Sequence, residues 1–304
     1  MKQYLEVVRH VLENGTRKEN RTAVDTLSTF NVNYEVDLRD GFPLLTTKRV
    51  SWTNIVAENL WFLSGSSRAD DLERHGCKFW RPWTDDAGNV RSDYGPAWRR
   101  FPTHGVRDSS DIRVDGDPCL AFNDQIGWVL RELRRNQMSR RLVVSAWSPG
   151  EAQSSGLPPC HLLFVFNVQL TPDGERILCL HLTQRSCDVA LGLPYNVAGY
   201  AFLLELFAKL SGMRAGIFAH TLVDAHIYTA KPDGSMADHD HVPGLREQLA
   251  RTPRTLSKLT IADSINELSD IDRLTQHGST ADLLEAFKLT GYDPYPAIQF
   301  KVAV

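Results

Sequence analysis

The order in which strand-like and helix-like runs follow one another constrains this chain more than any other feature. Runs rich in β-branched and aromatic residues fall at 27–36, 142–147, 161–168, 177–183 and 216–223, the residue types that suit a pleated, half-buried surface. Helical spacing of apolar residues falls at 2–13, 54–63, 123–135, 196–210 and 281–287. Three strand runs follow one another with no helix between them, so strand and helix do not alternate, which argues against a Rossmann or barrel fold. The expectation is one α/β (α+β) domain over residues 1–304. The polar, turn-rich stretch at 104–120 reads as an exposed insertion loop, and 232–242 reads the same way.

Composition narrows the functional classes. The 304 residues are 42% hydrophobic and 23% charged, the balance of a globular protein, not a disordered or collagenous one. A net charge of −3 is the wrong sign for a chain living on nucleic acid or an anionic membrane. The first residues carry Glu6 and Arg9 among Tyr4, Leu5, Val8 and Val11, unlike a secretory apolar core, and Gly15 is placed to end that helix. The most apolar later stretch is interrupted by Glu205 and Lys209. Five scattered cysteines without a CxxC pair suggest free thiols in a reducing compartment, so a cytoplasmic location is expected.

Cys160 stands in GLPPCHLLFVF at the start of a strand run. Two prolines fix the approach and remove two backbone donors, which suits a nucleophile at a strand edge, although a lone cysteine is commonly a core residue. His161 is a poor partner for it, because neighbouring strand side chains point to opposite faces. Arg21, Arg140, Arg141 and Arg185 flank strand runs; guanidinium forks bind phosphate and lower thiol pKa values, or else form surface ion pairs. His226 and Tyr228 alternate by two and would share a strand face. Asn196 reads most simply as a helix N-cap, while its amide could also serve a pyrimidine edge. The run Asp238-His239-Asp240-His241 has metal-ligand residue types but lies in a loop without a second ligand group, so a solvated role is expected and no metal is assigned.

These residues fall within motifs that resemble the folate-dependent thymidylate synthase family along the whole chain. The landmarks are DGFPLLTTKR from Asp40, ENLWFLSG from Glu58, DYGPAWR from Asp93 and SRRLVVSAW from Ser139. They continue with LPPCH ending at His161, QRSCDVALGLPYN ending at Asn196, DAHIY ending at Tyr228 and GYDPYP ending at Pro296. The resemblance implies a mixed sheet with surrounding helices and a homodimer packed sheet to sheet, with shared active sites. It implies a pyrimidine nucleoside monophosphate whose phosphate meets Arg21, Arg185 and Ser186, with Arg140 and Arg141 reaching from the other subunit. His226 and Tyr228 would hold the sugar, and Asn196 and Asp188 the base. Trp80, Trp83, Asp188 and Ala303 would line the site of the co-substrate 5,10-methylenetetrahydrofolate. Cys160 would be the nucleophile, and Glu58 and Tyr94 the proton-transfer groups. The implied reaction is reductive methylation of dUMP to dTMP with release of dihydrofolate. No membrane and no required nucleic acid are implied.

The chain departs from the family pattern near these residues. Ala23 and Asp25 stand where the loop after Arg21 usually has glycines, Ser51 where a histidine is common, and Arg81 where an acidic-containing pair separates the tryptophans. Gly199 replaces a serine that supports base binding, and Val223 replaces a glycine. Together they leave room for a specialised relative that hydroxymethylates C5 of dUMP, UMP, CMP or dCMP and releases tetrahydrofolate. A non-catalytic RNA-binding or regulatory homologue is a third reading. Asn196, rather than an aspartate, favours a uracil base.

Overall fold

Sixteen residues from Arg214 to Thr229 alternate between buried and half-exposed positions for almost their whole length, and that period of two makes them the longest strand of the central sheet. The computed structural model describes residues 1–90, 94–103, 112–114 and 121–303. In chain order the helices are α1 (Lys2–Asn14), α2 (Trp52–Ser64), α3 (Ala69–Glu73), α4 (Tyr94–Arg100), α5 (Gln125–Arg135), α6 (Pro149–Ala152), α7 (Gly192–Leu210), α8 (Val242–Ala250), α9 (Leu268–His277) and α10 (Thr280–Ala286). The main sheet holds β1 (Thr16–Lys18), β2 (Asp25–Asp37), β6 (Val143–Ser145), β7 (His161–Leu170), β8 (Arg176–Gln184), β9 (Cys187–Asp188) and β10 (Arg214–Thr229). Two small sheets hold β3 (Phe101–Thr103), β4 (Ile112–Val114) and β5 (Ala121–Asn123), and β11 (Lys258–Ile261) with β12 (Phe287–Thr290).

The main sheet runs β1-β2-β10-β8-β7-β6, with β9 also on β10. Strand β10 is parallel to β8 and β9 and antiparallel to β2, and the rest pair antiparallel. A mixed sheet of seven strands surrounded by helices is the α/β architecture expected. Its inner face carries Phe164, Phe166, Leu180, Leu182, Phe218 and Leu222, all buried. Against them packs α7, apolar around almost its whole circumference because it lies between the sheet and α2.

Three expectations change. Helix α7 begins at Gly192, so Asn196 lies inside the helix rather than capping it. The helix has no side-chain cap; Asp188 Oδ1 instead fixes the turn leading into it by accepting from the N–H groups of Ala190 and Leu191 at 2.8 and 3.1 Å. Residues 112–114 of the expected insertion loop form a strand with β5; the rest of that loop, with Cys119, lies outside the described residues. Finally, 232–242 is no uniformly solvated loop, since His241 is 1% exposed. Gly15, by contrast, ends α1 as expected, with φ −67°; glycine is needed there because a Cβ would lie 2.4 Å from the Val11 carbonyl oxygen.

Candidate active site

Cys160 sits where β7 begins, and three neighbours set its environment. The Tyr94 hydroxyl on α4 accepts the Cys160 N–H at 2.6 Å and the His161 N–H at 3.3 Å. Arg185 donates to the carbonyls of Pro159 at 2.9 Å and Pro158 at 2.7 Å, over the Trp147 ring. The two prolines therefore supply acceptors that anchor the guanidinium next to the thiol. Burial pushes the Cys160 thiol up, opposed by the charge of Arg185, the Tyr94 hydroxyl and the charge of Arg21. Cys187 is fully buried, and burial with nearby Asp188 holds its thiol far above the usual range. His161 points away from the thiol into an aromatic cluster with Tyr94 and Tyr200 and hydrogen-bonds Asn196; burial lowers it to about 4 despite that bond.

Glu58 on α2 accepts from Trp80 Nε1 at 2.8 Å. Burial raises its carboxyl to about 7 despite that hydrogen bond, so it holds or releases a proton near neutral pH. Trp80 also packs against Trp83 and Tyr94, at 6.0 and 5.8 Å between ring centroids.

The sugar and phosphate candidates gather at the C-terminal end of β10, the same end of the sheet as Cys160. Asp224 accepts from His226 Nδ1 at 3.2 Å, from Ser28 at 3.1 Å and from Lys18 at 3.1 Å. The His226 hydrogen bond is the main reason its carboxyl falls to about 2. That bond leaves His226 Nε2 as an acceptor. Tyr228 packs edge-on against His226 at 5.3 Å; burial raises its hydroxyl to about 12, with Asp188 adding and Arg21 opposing. Arg21 thus acts on both Cys160 and Tyr228. Its loop is tied by Asn20, which accepts from Thr22 and donates to the Val24 carbonyl. Ala23 keeps the left-handed conformation, φ 61°, in which the family's glycine would be unstrained. Asp25 turns from the loop to pair with Arg17 at 2.9 Å.

Asn196 is gripped from the sheet. Gln184 Nε2 donates to the Ser186 carbonyl at 3.0 Å and to Asn196 Oδ1 at 3.1 Å. Behind it, His220 Nε2 meets Gln184 Oε1 at 3.1 Å, and Tyr34 meets His220 Nδ1 at 2.7 Å. Neither Tyr34 nor His220 belongs to a sequence motif; only the pairing of β2 with β10 in register places them side by side.

The remaining candidates are spread differently. Asp188 lies 3.9 Å from His241 Nδ1, whose Nε2 meets the Lys301 carbonyl at 2.9 Å. Lys48 donates to the Ala190 carbonyl and lies over the Phe300 ring; burial lowers it to about 8, partly offset by Asp188. Lys48, unmarked by the sequence reading, and His241 thus tie Phe300 and Lys301, just before Ala303, to Asp188. Arg140 and Arg141 are exposed beside β6 and are absent from the charges acting on Cys160. Ser51, the histidine replacement, caps α2 by accepting from the Asn54 N–H, and Arg81 pairs with Glu73. Among the described residues, no group of three or more His, Cys, Asp or Glu is arranged to hold a metal ion. Among them too, no helix is long and apolar enough to cross a membrane.

A thiol flanked by an arginine and a phenol, near a carboxyl poised at neutrality, suits an enzyme that adds sulfur to an electron-poor carbon and moves protons around it. Residues 2–304 match the model of the family described as thymidylate synthase, and the chain belongs to that family. It is accordingly a methyltransferase-type enzyme of folate-dependent one-carbon transfer to a pyrimidine nucleotide.

Proposed function

We propose that the protein transfers the one-carbon unit of 5,10-methylenetetrahydrofolate to C5 of a uracil nucleotide, converting dUMP to dTMP and releasing dihydrofolate. The observation that carries the choice of base is the grip of Gln184 on Asn196 Oδ1. It orients the amide with Nδ2 as the donor for uracil O4 and Oδ1 as the acceptor for N3–H. Cytosine reverses both groups at that edge, so like polar groups would face each other.

Cys160 then adds to C6 as the thiolate; burial, the largest influence, raises the thiol, and Arg185, Tyr94 and Arg21 offset part of that rise. The addition gives C5 carbanion character, with charge spreading to O4, where Asn196 and a water held by Glu58 supply donors. After the new carbon–carbon bond forms at C5, the Tyr94 side of the site removes the C5 proton, and the pair left behind expels the folate nitrogen to leave an exocyclic methylene. Hydride adds to that carbon (water in a hydroxymethyl outcome) as Cys160 departs and the C5–C6 double bond re-forms. Arg21, Arg185 and Ser186 take the phosphate, and His226 and Tyr228 the 3′-hydroxyl. The folate supplies the methylene unit and, in the methyl outcome, the hydride. The residues suit it: Asp188 keeps an exposed carboxylate edge for a row of N–H donors, and Trp80 with Trp83 offers an aromatic wall.

One observation favours a second reading, C5 hydroxymethylation with release of tetrahydrofolate. Asn59, next to Glu58 on α2, sets a buried amide against Gly199, one turn along α7 from Asn196, and a polar group behind the base would help retain water. Incubating the enzyme with methylenetetrahydrofolate and each of dUMP, UMP, dCMP and CMP separates the readings. Product mass rising by a methyl group with dihydrofolate absorbance supports the proposal. A hydroxymethyl product without dihydrofolate gives the second reading, and faster turnover of a cytidylate overturns the reading of Asn196.

A further inference from the structure

The Asn196 amide has two orientations of opposite hydrogen-bond pattern, and the residues behind it select one. The Ser186 carbonyl only accepts, so the Gln184 atom facing it is the amide nitrogen. That nitrogen's second hydrogen goes to Asn196, whose facing atom is therefore Oδ1. Gln184 Oε1 is left toward His220 and requires a hydrogen on Nε2. His220 is fully buried, and that burial, with His161 and His181 nearby, holds it neutral. Its Nδ1 is then a bare acceptor, and Tyr34 must donate to it. Every link runs in one direction.

We propose that Tyr34 is a positioning residue for base selection: by donating to His220 Nδ1 it fixes, through Gln184, which face of the Asn196 amide meets the pyrimidine. The inference rests on the uracil reading above. With the Tyr34 hydroxyl gone, His220 is free to carry its hydrogen on Nδ1. Nε2 then becomes an acceptor, Gln184 turns its nitrogen to it, and Asn196 turns Nδ2 toward Gln184. The amide then presents the pattern that cytosine requires. Opposing this is the clash of Gln184 Oε1 with the Ser186 carbonyl, so the selection is weakened rather than inverted.

The test is Tyr34→Phe, which keeps the ring packed against His220, 5.4 Å between centroids. The ratio of kcat/KM for uridylate over cytidylate is expected to fall about fivefold to tenfold, the size of one lost hydrogen bond. The change should lie in KM rather than kcat. A purely structural role would lower the melting temperature and leave the ratio alone, and a ratio within twofold of wild type overturns the proposal. Independently of whether the variant folds, ¹⁵N NMR of the ligand-free wild type should show His220 neutral and protonated on Nε2. A charged ring or an Nδ1-protonated one overturns the relay. Failure of the uracil reading looks different: wild-type enzyme that binds neither dUMP nor dCMP, or prefers dCMP. Failure of this inference alone leaves a wild type and a Tyr34→Phe variant that choose uracil equally well.

Discussion

Two residues at the site sit in states that the unconstrained chain would avoid. Glu58 is held at about 7 against an ordinary value of 4.5, chiefly by burial. An acid raised in this way adds stability that is complete below about pH 4.5 and is lost as the pH rises through about 7. Glu58→Gln should therefore melt close to wild type at pH 4 and above it at pH 8. The gain should approach about 3 kcal/mol, reduced by whatever water reaches the carboxylate. The same variant should lose the ionisation near pH 7 from its kcat profile and about 10²-fold or more of its rate; an unchanged profile would remove Glu58 from proton transfer. Ala23 is the second case, a side chain at φ 61° in the loop that carries Arg21. A left-handed alanine costs about 1–2 kcal/mol, partly offset by the greater freedom of an unfolded glycine. Ala23→Gly should then stabilise by about 0.5–1 kcal/mol in urea titrations, and a destabilised variant would show the loop to be unstrained.

Among the elements, the contact between α2 and α7 explains a glycine that no turn requires. A buried helical glycine costs about 1 kcal/mol relative to alanine, yet a Cβ at position 199 would lie 2.8 Å from Asn59 Nδ2 and 3.4 Å from its Oδ1. Asn59 is itself buried, with Nδ2 bonded to the Ile55 carbonyl at 2.8 Å, so it has little room to yield. Gly199→Ser alone should destabilise by about 1–3 kcal/mol, and Asn59→Ala should recover at least about 1 kcal/mol of that in a double-mutant cycle. Additivity of the two would mean that they do not touch. This pairing also shows what the sequence conceals. The core of the sheet was legible because strands β7 and β8 alternate strongly, and LPPCH and QRSCD mark Cys160 and Arg185 directly. The start of α7 was misread because a helix buried on all sides shows no apolar stripe, and Asn196 then looked like its cap. Strand β10 was read short because its last turns carry Asp224, His226 and Tyr228, polar for the site. Helices α8 and α9 escape the sequence reading because Pro243 and Gly244 open α8 and α9 buries only Ile271 and Thr275, and His241 reads as solvated because its partner at Lys301 is sixty residues away.

At the scale of the whole molecule, the two faces of the sheet are unequally buried among the described residues. The inner residues of β7, β8 and β10 are buried under α7, while those between them, Val165, His181, Thr183 and Thr221, are only half-buried. Val143 at the β6 edge is 40% exposed. A broad, half-buried sheet face of mixed Val, Thr and His residues is what a second sheet would cover, and the family is usually dimeric. Arg140 and Arg141 precede β6 and do not act on their own Cys160, whereas Arg21 and Arg185 do. A dimer that buries the open face gives those two arginines a use, because the loop bearing them can then meet the phosphate pocket of the other subunit. If the active site is shared in this way, Arg140→Ala and Cys160→Ser subunits should each be nearly inactive as homodimers. Mixing them places both lesions in one of the two sites of a heterodimer and leaves the other site whole. After equal mixing and random exchange, half of the dimers would be mixed with one good site each, so activity should recover to about a quarter of wild type. Exchange is followed separately, by mass spectrometry of differently labelled subunits. Complete exchange without recovery would confine each site to one chain and leave Arg140 without a role in phosphate binding.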